Sequence, residues 1–496
     1  MASWDAEADV VVVGFGAAGA CAALEAKAAG ADVIVIDRFG GGGATALSGG
    51  VVYAGGGTTQ QRTAGVTDSV EAMEAYLRLE VGDVVSPETL REFCDGSVAM
   101  MEWLQAQGIP FDSSLCPDKT SYPTNRHYLY YSGSELAFKH EASPAPRGHR
   151  AHGKGTSGRV LFARLADAVR RNGIRVVTQT TAQRLITDDA GRVIGVQCRT
   201  LRKTRLHGLL SRMAAKPFLY VPKLGRLLHR RVVRLERKHA TSLYIKARQG
   251  IVLCAGGFIN NREMMREHAP SYRGGLPLGT PGDDGSGIKL GLSVGGAAAH
   301  LGRISVWRFL TPPAAMTQGV LVDQAGQRIC DEMRYGAAIG DAIMRHHDGK
   351  AYLVLDRALV KTARKQLGTQ TLWFQRLQMW YLLALRKKGT PGIDEAALAA
   401  TLKECADTKP LTPPYSTIDM SIRPRIGFPA PMLTLGGLAV DERTGAVLRP
   451  DGTPVAGLYA AGRNAVGLCS NSYVSGLSIA DAVFSGRRAG RSVVCD

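Results

Sequence analysis

No two of the nine cysteines form a C-x-x-C pair; they are scattered at positions 21, 94, 116, 198, 254, 330, 405, 469 and 495. That spacing argues against a structural zinc site or an iron–sulfur cluster and fits reduced, buried thiols, so no metal site is expected. A run of about 18 apolar residues, the length of a spanning helix, is also missing. The first nine residues are acidic and lack the basic and apolar stretches of a secretory signal, which makes a cytoplasmic location the expectation. A G-x-G-x-x-G motif behind a strand occurs once and is not repeated, so a second dinucleotide domain is not expected.

What the chain has in excess is glycine and positive charge. Its 59 glycines cluster at strand ends, as in a protein whose backbone closely approaches a large ligand. At 496 residues it exceeds what one hydrophobic core usually serves, so more than one domain is expected. The formal charge of +18 is uneven: residues 199–239 hold thirteen Lys/Arg against a single acid, Glu236.

The N-terminal unit is the most explicit segment. Residues 9–13, Asp-Val-Val-Val-Val, read as a buried parallel strand. Gly14-Phe-Gly16-Ala17-Ala18-Gly19 follows and opens a small-residue helix capped by Gly30. A second strand, 32–36, ends on Asp37. Gly14 permits the tight turn, Gly16 lets a pyrophosphate approach the backbone, and Gly19 allows close helix–strand packing. The helix N-terminus offers N–H groups and a positive dipole to phosphates, and Asp37 can accept from ribose hydroxyls.

Beyond Asp37 lies Gly40-Gly-Gly-Gly-Ala-Thr45-Ala-Leu-Ser48-Gly49-Gly50. Further motifs are Gly250-Ile-Val-Leu-Cys-Ala255-Gly256-Gly-Phe258, Gly282-Asp283-Asp-Gly285-Ser-Gly287, Gly457-Leu-Tyr-Ala-Ala-Gly462-Arg463 and Gly476-Leu-Ser478-Ile479-Ala-Asp481. In this order the motifs resemble the fumarate reductase and succinate dehydrogenase flavoprotein superfamily over nearly the full length. The resemblance implies an α/β fold: a Rossmann-type FAD-binding domain assembled from both chain ends, with an inserted α+β substrate (capping) domain. It implies FAD contacts from Gly14, Gly16, Ala17, Ala18, Gly19, Asp37, Arg38, Thr45, Ser48, Gly49, Gly50, Ala182, Ala255, Gly256, Asp283, Gly285, Gly462, Ser478 and Ile479. Residues 38–50 hold no His, the anchor of covalent flavin in that superfamily, so non-covalent FAD is expected. Electrons would then be exchanged with an external acceptor such as a quinone.

Helices are expected within 69–107, with Ser86 as an N-cap before Pro87, and over 156–172. Strands follow from Arg175 and Arg184, and the next is delayed until 242–247. Residues 199–240 therefore form an insertion in a β-meander. The expected division is 1–279 (flavin domain, first part), 280–425 (capping domain) and 426–496 (flavin domain, second part).

Two stretches carry acid/base candidates, 327–335 and 471–478. Tyr473 stands where the resembling fumarate reductases place a carboxylate-clamping Arg, so a neutral ketone suits the site better than a dicarboxylate. Tyr335, Tyr473 and Ser475 resemble the 3-ketosteroid dehydrogenases, most closely the Δ4-(5α) type. That implies FAD-dependent formation of a C=C bond beside a ketone, with Tyr473 and Ser475 relaying the proton and Tyr335 positioning or polarising the ketone. The alternatives are a Δ1-dehydrogenase, and a fumarate reductase-like reductase of an unsaturated acid, which Arg303 and Arg308 keep open. A flavoprotein docked on membrane or nucleic acid is a third. The basic insertion, interleaved with Leu, Met, Phe218 and Tyr220, reads first as a surface for anionic lipid at the inner face of the membrane, next as a plain solvated or oligomer-contact surface, and last as a nucleic-acid site. His346-His347 reads as a solvated helix end, and Trp373, Phe374, Met379, Trp380 and Tyr381 as either a pocket wall or an ordinary helix.

Overall fold

The computed structural model describes residues 4–201, 204–272, 275–423 and 428–495. Five parallel strands lie in the order Pro454–Ala460, Thr241–Leu253, Ala6–Val13, Val33–Asp37 and Arg175–Thr178. Successive residues of Ala6–Val13 enter opposite cores. Val10 and Val12 join the cluster under the helices Ala17–Ala28 and Leu477–Cys495, while Val11 and Val13 join the cluster under the meander. A strand buried on both faces must be apolar at every position, which is why this segment reads as a continuous Val run.

Strand Thr241–Leu253 serves two sheets. Its first half continues the antiparallel meander of Thr180–Thr187 and Val193–Thr200, and its second half lies between Ala6–Val13 and Pro454–Ala460. The segments beginning at Ser242 and Gly250, separate motifs in the sequence, are thus one strand of 13 residues. The chain ends are joined by close helix packing. A Cβ on Gly486 would lie 2.5 Å from the Ala18 carbonyl oxygen, and one on Gly490 would lie 2.3 Å from that of Ala22.

Segment 69–107 holds three helices, Val70–Val81, Pro87–Asp95 and Ser97–Ala106, and the Ser86 side chain accepts from Thr89 N as its sequence position implies. Helix Gly158–Arg171 matches the expected amphipathic segment. A second, antiparallel sheet joins Val320–Val322, Tyr352–Leu355, Ser416–Asp419 and Lys387–Lys388. It has its own core, running from Leu310 to Phe428 in sequence. Helix Ser286–Leu292 lies outside that core: Ile288 and Leu290 pack with Leu438 and Val447 beneath the meander. The change of core therefore falls near Leu310, later than residue 280.

The basic insertion is a helical hairpin, Arg205–Tyr220 followed by Pro222–His239. The side chains of Phe218 and Tyr220 lie outside the described residues. Among the described residues no helix is long and apolar enough to cross a membrane.

Candidate active site

One cavity of about 1160 Å³ opens along the carboxyl ends of the parallel strands. Gly14, Gly16, Ala17, Ala18, Asp37, Arg38, Thr45, Ser48, Gly49, Gly50, Ala182, Ala255, Gly256, Asp283, Gly462, Ser478 and Ile479 line it, together with Tyr335, Tyr473 and Ser475. Two expected cofactor contacts are absent from the lining. Gly19 faces the strand, where a Cβ would sit 1.9 Å from the Gly14 oxygen. Gly285 is a left-handed residue packed on Met264 and Phe258. Both are glycine for packing.

The first turn packs tightly against the end of strand Thr241–Leu253. Gly14 has φ 104°, and a Cβ there would meet the Cys254 oxygen at 2.4 Å. Thr45 Oγ1 accepts from Ala17 N (3.0 Å), drawing the glycine loop over the helix N-terminus. Asp37 accepts from the N–H groups of Phe15, Phe39 and Gly41 at 2.8–3.1 Å, which locks its carboxylate at the strand tip. Asp283 accepts from Thr280 N and Arg463, leaving Arg463 Nη1 buried without a hydrogen-bond partner among the described residues. His207 Nδ1 and Ser211 Oγ, also in the lining, are likewise buried and unpaired. Unsatisfied buried donors and acceptors cost about 1–3 kcal/mol each. Glycine turns at the helix N-terminus and unpaired polar atoms along one elongated cavity fit a dinucleotide.

Elsewhere in the cavity three hydroxyls converge. Tyr335 is the N-cap of helix Gly336–His346, and its N–H donates to Ser134 Oγ (3.2 Å). Upstream, Glu332 is fully buried, paired with Arg328 (2.6 Å) and Lys409 (2.5 Å), and it accepts from Leu321 N. These contacts hold the 327–335 stretch in place and occupy the Glu332 carboxylate. The Ser475 hydroxyl bonds the Tyr335 phenol, and the Tyr335 and Tyr473 ring centroids are 6.2 Å apart. Trp307 packs 4.9 Å from Tyr473, and Phe309 5.3 Å from Tyr335. Burial pushes the Tyr335 phenol up, partly offset by the Ser475 hydroxyl. Burial likewise raises Tyr473, with the charge of Arg463 acting in the opposite direction.

One neighbour of Ser475 was not singled out from the sequence. Tyr130, fully buried on strand Leu129–Tyr130, places its OH 3.4 Å from Ser475 Oγ, and Ser132 Oγ donates to the Ser475 carbonyl (3.0 Å). The only local signal was the aromatic run Tyr128-Leu-Tyr130-Tyr131.

The expectation of a carboxylate site at Arg303 or Arg308 fails on geometry. Arg308 donates to the carbonyls of Met420, Ser421, Phe428 and Pro429 and lies over the Phe428 ring. Arg303 is not in the lining. His347 Nδ1 is 3.0 Å from Asp323, and among the described residues no group of three His, Cys, Asp or Glu could hold a metal ion.

A family model described as FAD binding domain matches residues 9–476. The chain belongs to this flavoprotein family. The flavoprotein is 39% identical to a 3-oxo-5-alpha-steroid 4-dehydrogenase of Comamonas testosteroni, over 92% of this chain and 93% of that one. It is 26% identical to a probable fumarate reductase of Shewanella frigidimarina, over 97% of this chain and 74% of the relative. Its fold matches a crystal structure of 3-ketosteroid-Δ4-(5α)-dehydrogenase from Rhodococcus jostii RHA1 in complex with 4-androstene-3,17-dione, with TM-score 0.82, 31% identity and coverage of 100% and 98%. The protein is an FAD-dependent oxidoreductase.

Proposed function

We propose that this flavoenzyme is a 3-ketosteroid Δ4-(5α)-dehydrogenase. The observation that carries the reading is the meeting of Tyr335, Tyr473 and Ser475 against Trp307 and Phe309 in the cofactor cavity. The wall is apolar and offers neutral donors, which suits a ketone on a hydrocarbon skeleton. The Comamonas and Rhodococcus proteins support the reading by identity and fold.

In the proposed reaction the C4–H and C5–H bonds break and the C4=C5 double bond forms. FAD bound in this cavity would supply the acceptor for the C5 hydride. The Tyr473 phenolate takes the C4 proton, made acidic by the C3 ketone, and the resulting phenol returns it to solvent through Ser475. The Tyr335 OH positions the ketone oxygen and donates to the charge that develops there. Gly14, Gly16 and Ala17 would hold the pyrophosphate of a non-covalent FAD, and Asp37 its ribose. The unit from about 310 to 428 forms the substrate side, and an external acceptor such as a quinone reoxidises the flavin.

We also propose docking on an anionic membrane surface at the inner face of the membrane. Helix Trp373–Ala384 supports it: Phe374 and Met379 line the cavity, whereas Trp373, Leu377 and Trp380 are exposed. Residues 357–393 carry eight Lys/Arg and no acid. The hairpin adds exposed Leu206, Leu209, Met213, Leu224 and Leu227 to its own cations. Apolar anchors beside cations suit acidic lipid, and a sterol-like substrate partitions there. Flotation with phosphatidylserine vesicles, against phosphatidylcholine alone, tests docking. For the reaction, anaerobic mixing with a 3-ketosteroid saturated in its A ring should bleach the flavin and yield the 4-ene-3-ketone; an oxidised spectrum after mixing would reject the assignment.

A further inference from the structure

Thr200 and Thr241, which flank the basic insertion, are register partners in the meander. The sheet therefore needs only a tight turn between them, and the helical hairpin is not required to close it. Its inner face is specific. Along Arg205–Tyr220, His207, Gly208, Ser211 and Ala215 line the cavity at i, i+1, i+4 and i+8, while Leu206, Leu209 and Met213 face outward.

The one acid of the insertion also faces inward. Glu236 accepts from Arg38 Nη2 (2.9 Å) and Nε (3.2 Å), and its Oε1 is 3.2 Å from His207 Nε2; Arg38 Nη1 reaches Asp284 (3.0 Å). Phe39 stacks on His207 with 6.3 Å between centroids and meets His229 edge-on at 6.0 Å. These contacts all gather at the tip of strand Val33–Asp37, next to Asp37. In a Rossmann unit the acid at that tip reads the ribose of the adenosine half, with the pyrophosphate at the first helix. His207 Nδ1 and Ser211 Oγ, both unpaired among the described residues, line the cavity at this end.

We infer that the hairpin Arg205–His239 is a clamp over the adenosine half of FAD, latched by Glu236 to Arg38, with His207 and Ser211 as polar partners for the nucleotide. FAD leaves only when the hairpin undocks, so the latch sets the residence time of the cofactor. The inference rests on FAD occupying the cavity and is independent of the steroid reading.

The test follows FAD release from the full-length holoenzyme, by rise in flavin fluorescence after dilution and by retention on desalting. Glu236→Gln removes the charge of the latch, and Ser211→Ala removes one nucleotide contact without touching the latch. Charge-assisted hydrogen bonds carry enough energy for Glu236→Gln to speed release on the order of ten-fold or more, with a smaller increase for Ser211→Ala. Replacing residues 202–239 by Asn-Gly should give a folded flavoprotein that loses FAD faster still. Wild-type release rates in both point variants, or an unchanged rate in the shortened protein, would overturn the clamp. If the shortened protein does not fold, the point variants decide alone. Steroid turnover is not part of the readout, so failure of the proposed reaction would leave this result unaffected.

Discussion

The Tyr130 hydroxyl stands 3.4 Å from the hydroxyl of Ser475, two residues brought together from strand Leu129–Tyr130 and the turn before the C-terminal helix. Tyr130 thus holds the second hydroxyl of the proposed relay and acts as a positioning residue. Tyr130→Phe should lower kcat on the order of ten-fold, the cost of one hydrogen bond, while KM and the flavin spectrum stay near wild type. Tyr473→Phe removes the acid/base group itself and should cost about 10² to 10⁴ in rate. Equal rates for wild type and Tyr130→Phe would remove Tyr130 from the relay.

Burial raises the Tyr473 phenol above its ordinary value near 10. The working base is the ionised form, so the active fraction grows as pH rises toward that raised value. The logarithm of kcat/KM should climb with slope near one through pH 7–9 and reach no plateau there, since kcat/KM reports the free enzyme. A flat profile over that interval excludes Tyr473 as the base.

The Rossmann half was legible because each function left a residue at a fixed offset: Val runs for a strand buried on both faces, glycine where a carbonyl comes within 2–3 Å of a missing Cβ, and Asp37 at the strand tip. Gly19 and Gly285 mark the limit of that reading, since a glycine needed for packing and one needed for a ligand look alike in sequence. Tyr130 was not legible, because its partner is 345 positions away and nothing local records the pairing. The hairpin was legible only in its charge. Thirteen cations dominate its composition, yet the residues that fix its place are its lone acid and a histidine on the opposite helix face. Arg308 shows the converse: it lines the cavity, but four backbone carbonyls already occupy its guanidinium.

The latch should also set acid stability. Burial opposes ionisation of Glu236, but hydrogen bonds from His207 and Arg38 outweigh it and bring its pKa down to about 2. A depressed carboxylate contributes stability above its unfolded value near 4.5, lost as pH falls toward 2. His229, lowered to about 4 by burial and by Arg38, adds a loss that begins lower than pH 6.5 and is complete near 4. Arg38, His207 and Asp284 are the other charged or titratable groups at this site. Bound FAD should therefore be shed in two steps on acidification, and Glu236→Gln should abolish the lower one. A single step shared by both proteins would count against the latch.

Gly490 offers a test of how the chain ends are joined. A Cβ there would meet the Ala22 carbonyl oxygen at 2.3 Å, so Gly490→Val must push helix Leu477–Cys495 away from helix Ala17–Ala28. Overpacking of this kind costs about 1–3 kcal/mol. Ser478 and Ile479, which line the cavity, ride on the same helix. The variant should melt lower than wild type and bind FAD more weakly, whereas Gly368→Ala, on the exposed face of helix Arg357–Gln370 with nothing within 4 Å, should leave FAD affinity unchanged. Equal FAD affinity in Gly490→Val and wild type would show that the two helices do not share the load.

The last prediction concerns substrate class. A dicarboxylate bound beside Tyr473 needs a cation with free donors, and residues 464–486 contain no Lys or Arg. Arg308 is held by Met420, Ser421, Phe428 and Pro429. Arg463 is paired with Asp283 through Nη2 (2.6 Å), which leaves Nη1 as a single donor and not a bidentate fork. A charge-assisted hydrogen bond contributes about 1.5–3 kcal/mol, so the missing bidentate clamp weakens a dicarboxylate by orders of magnitude. A ketone loses nothing there and meets the Tyr335 and Tyr473 hydroxyls against Trp307 and Phe309. Saturated 3-ketosteroids should therefore reduce the flavin anaerobically while succinate leaves it oxidised. In the reverse direction, fumarate should not reoxidise the dithionite-reduced protein. Tyr473→Arg, which restores a cation at this position, should abolish steroid oxidation and raise dicarboxylate affinity. Rapid reoxidation of the wild-type protein by fumarate, with no spectral response to steroid, would place the enzyme among the unsaturated-acid reductases instead.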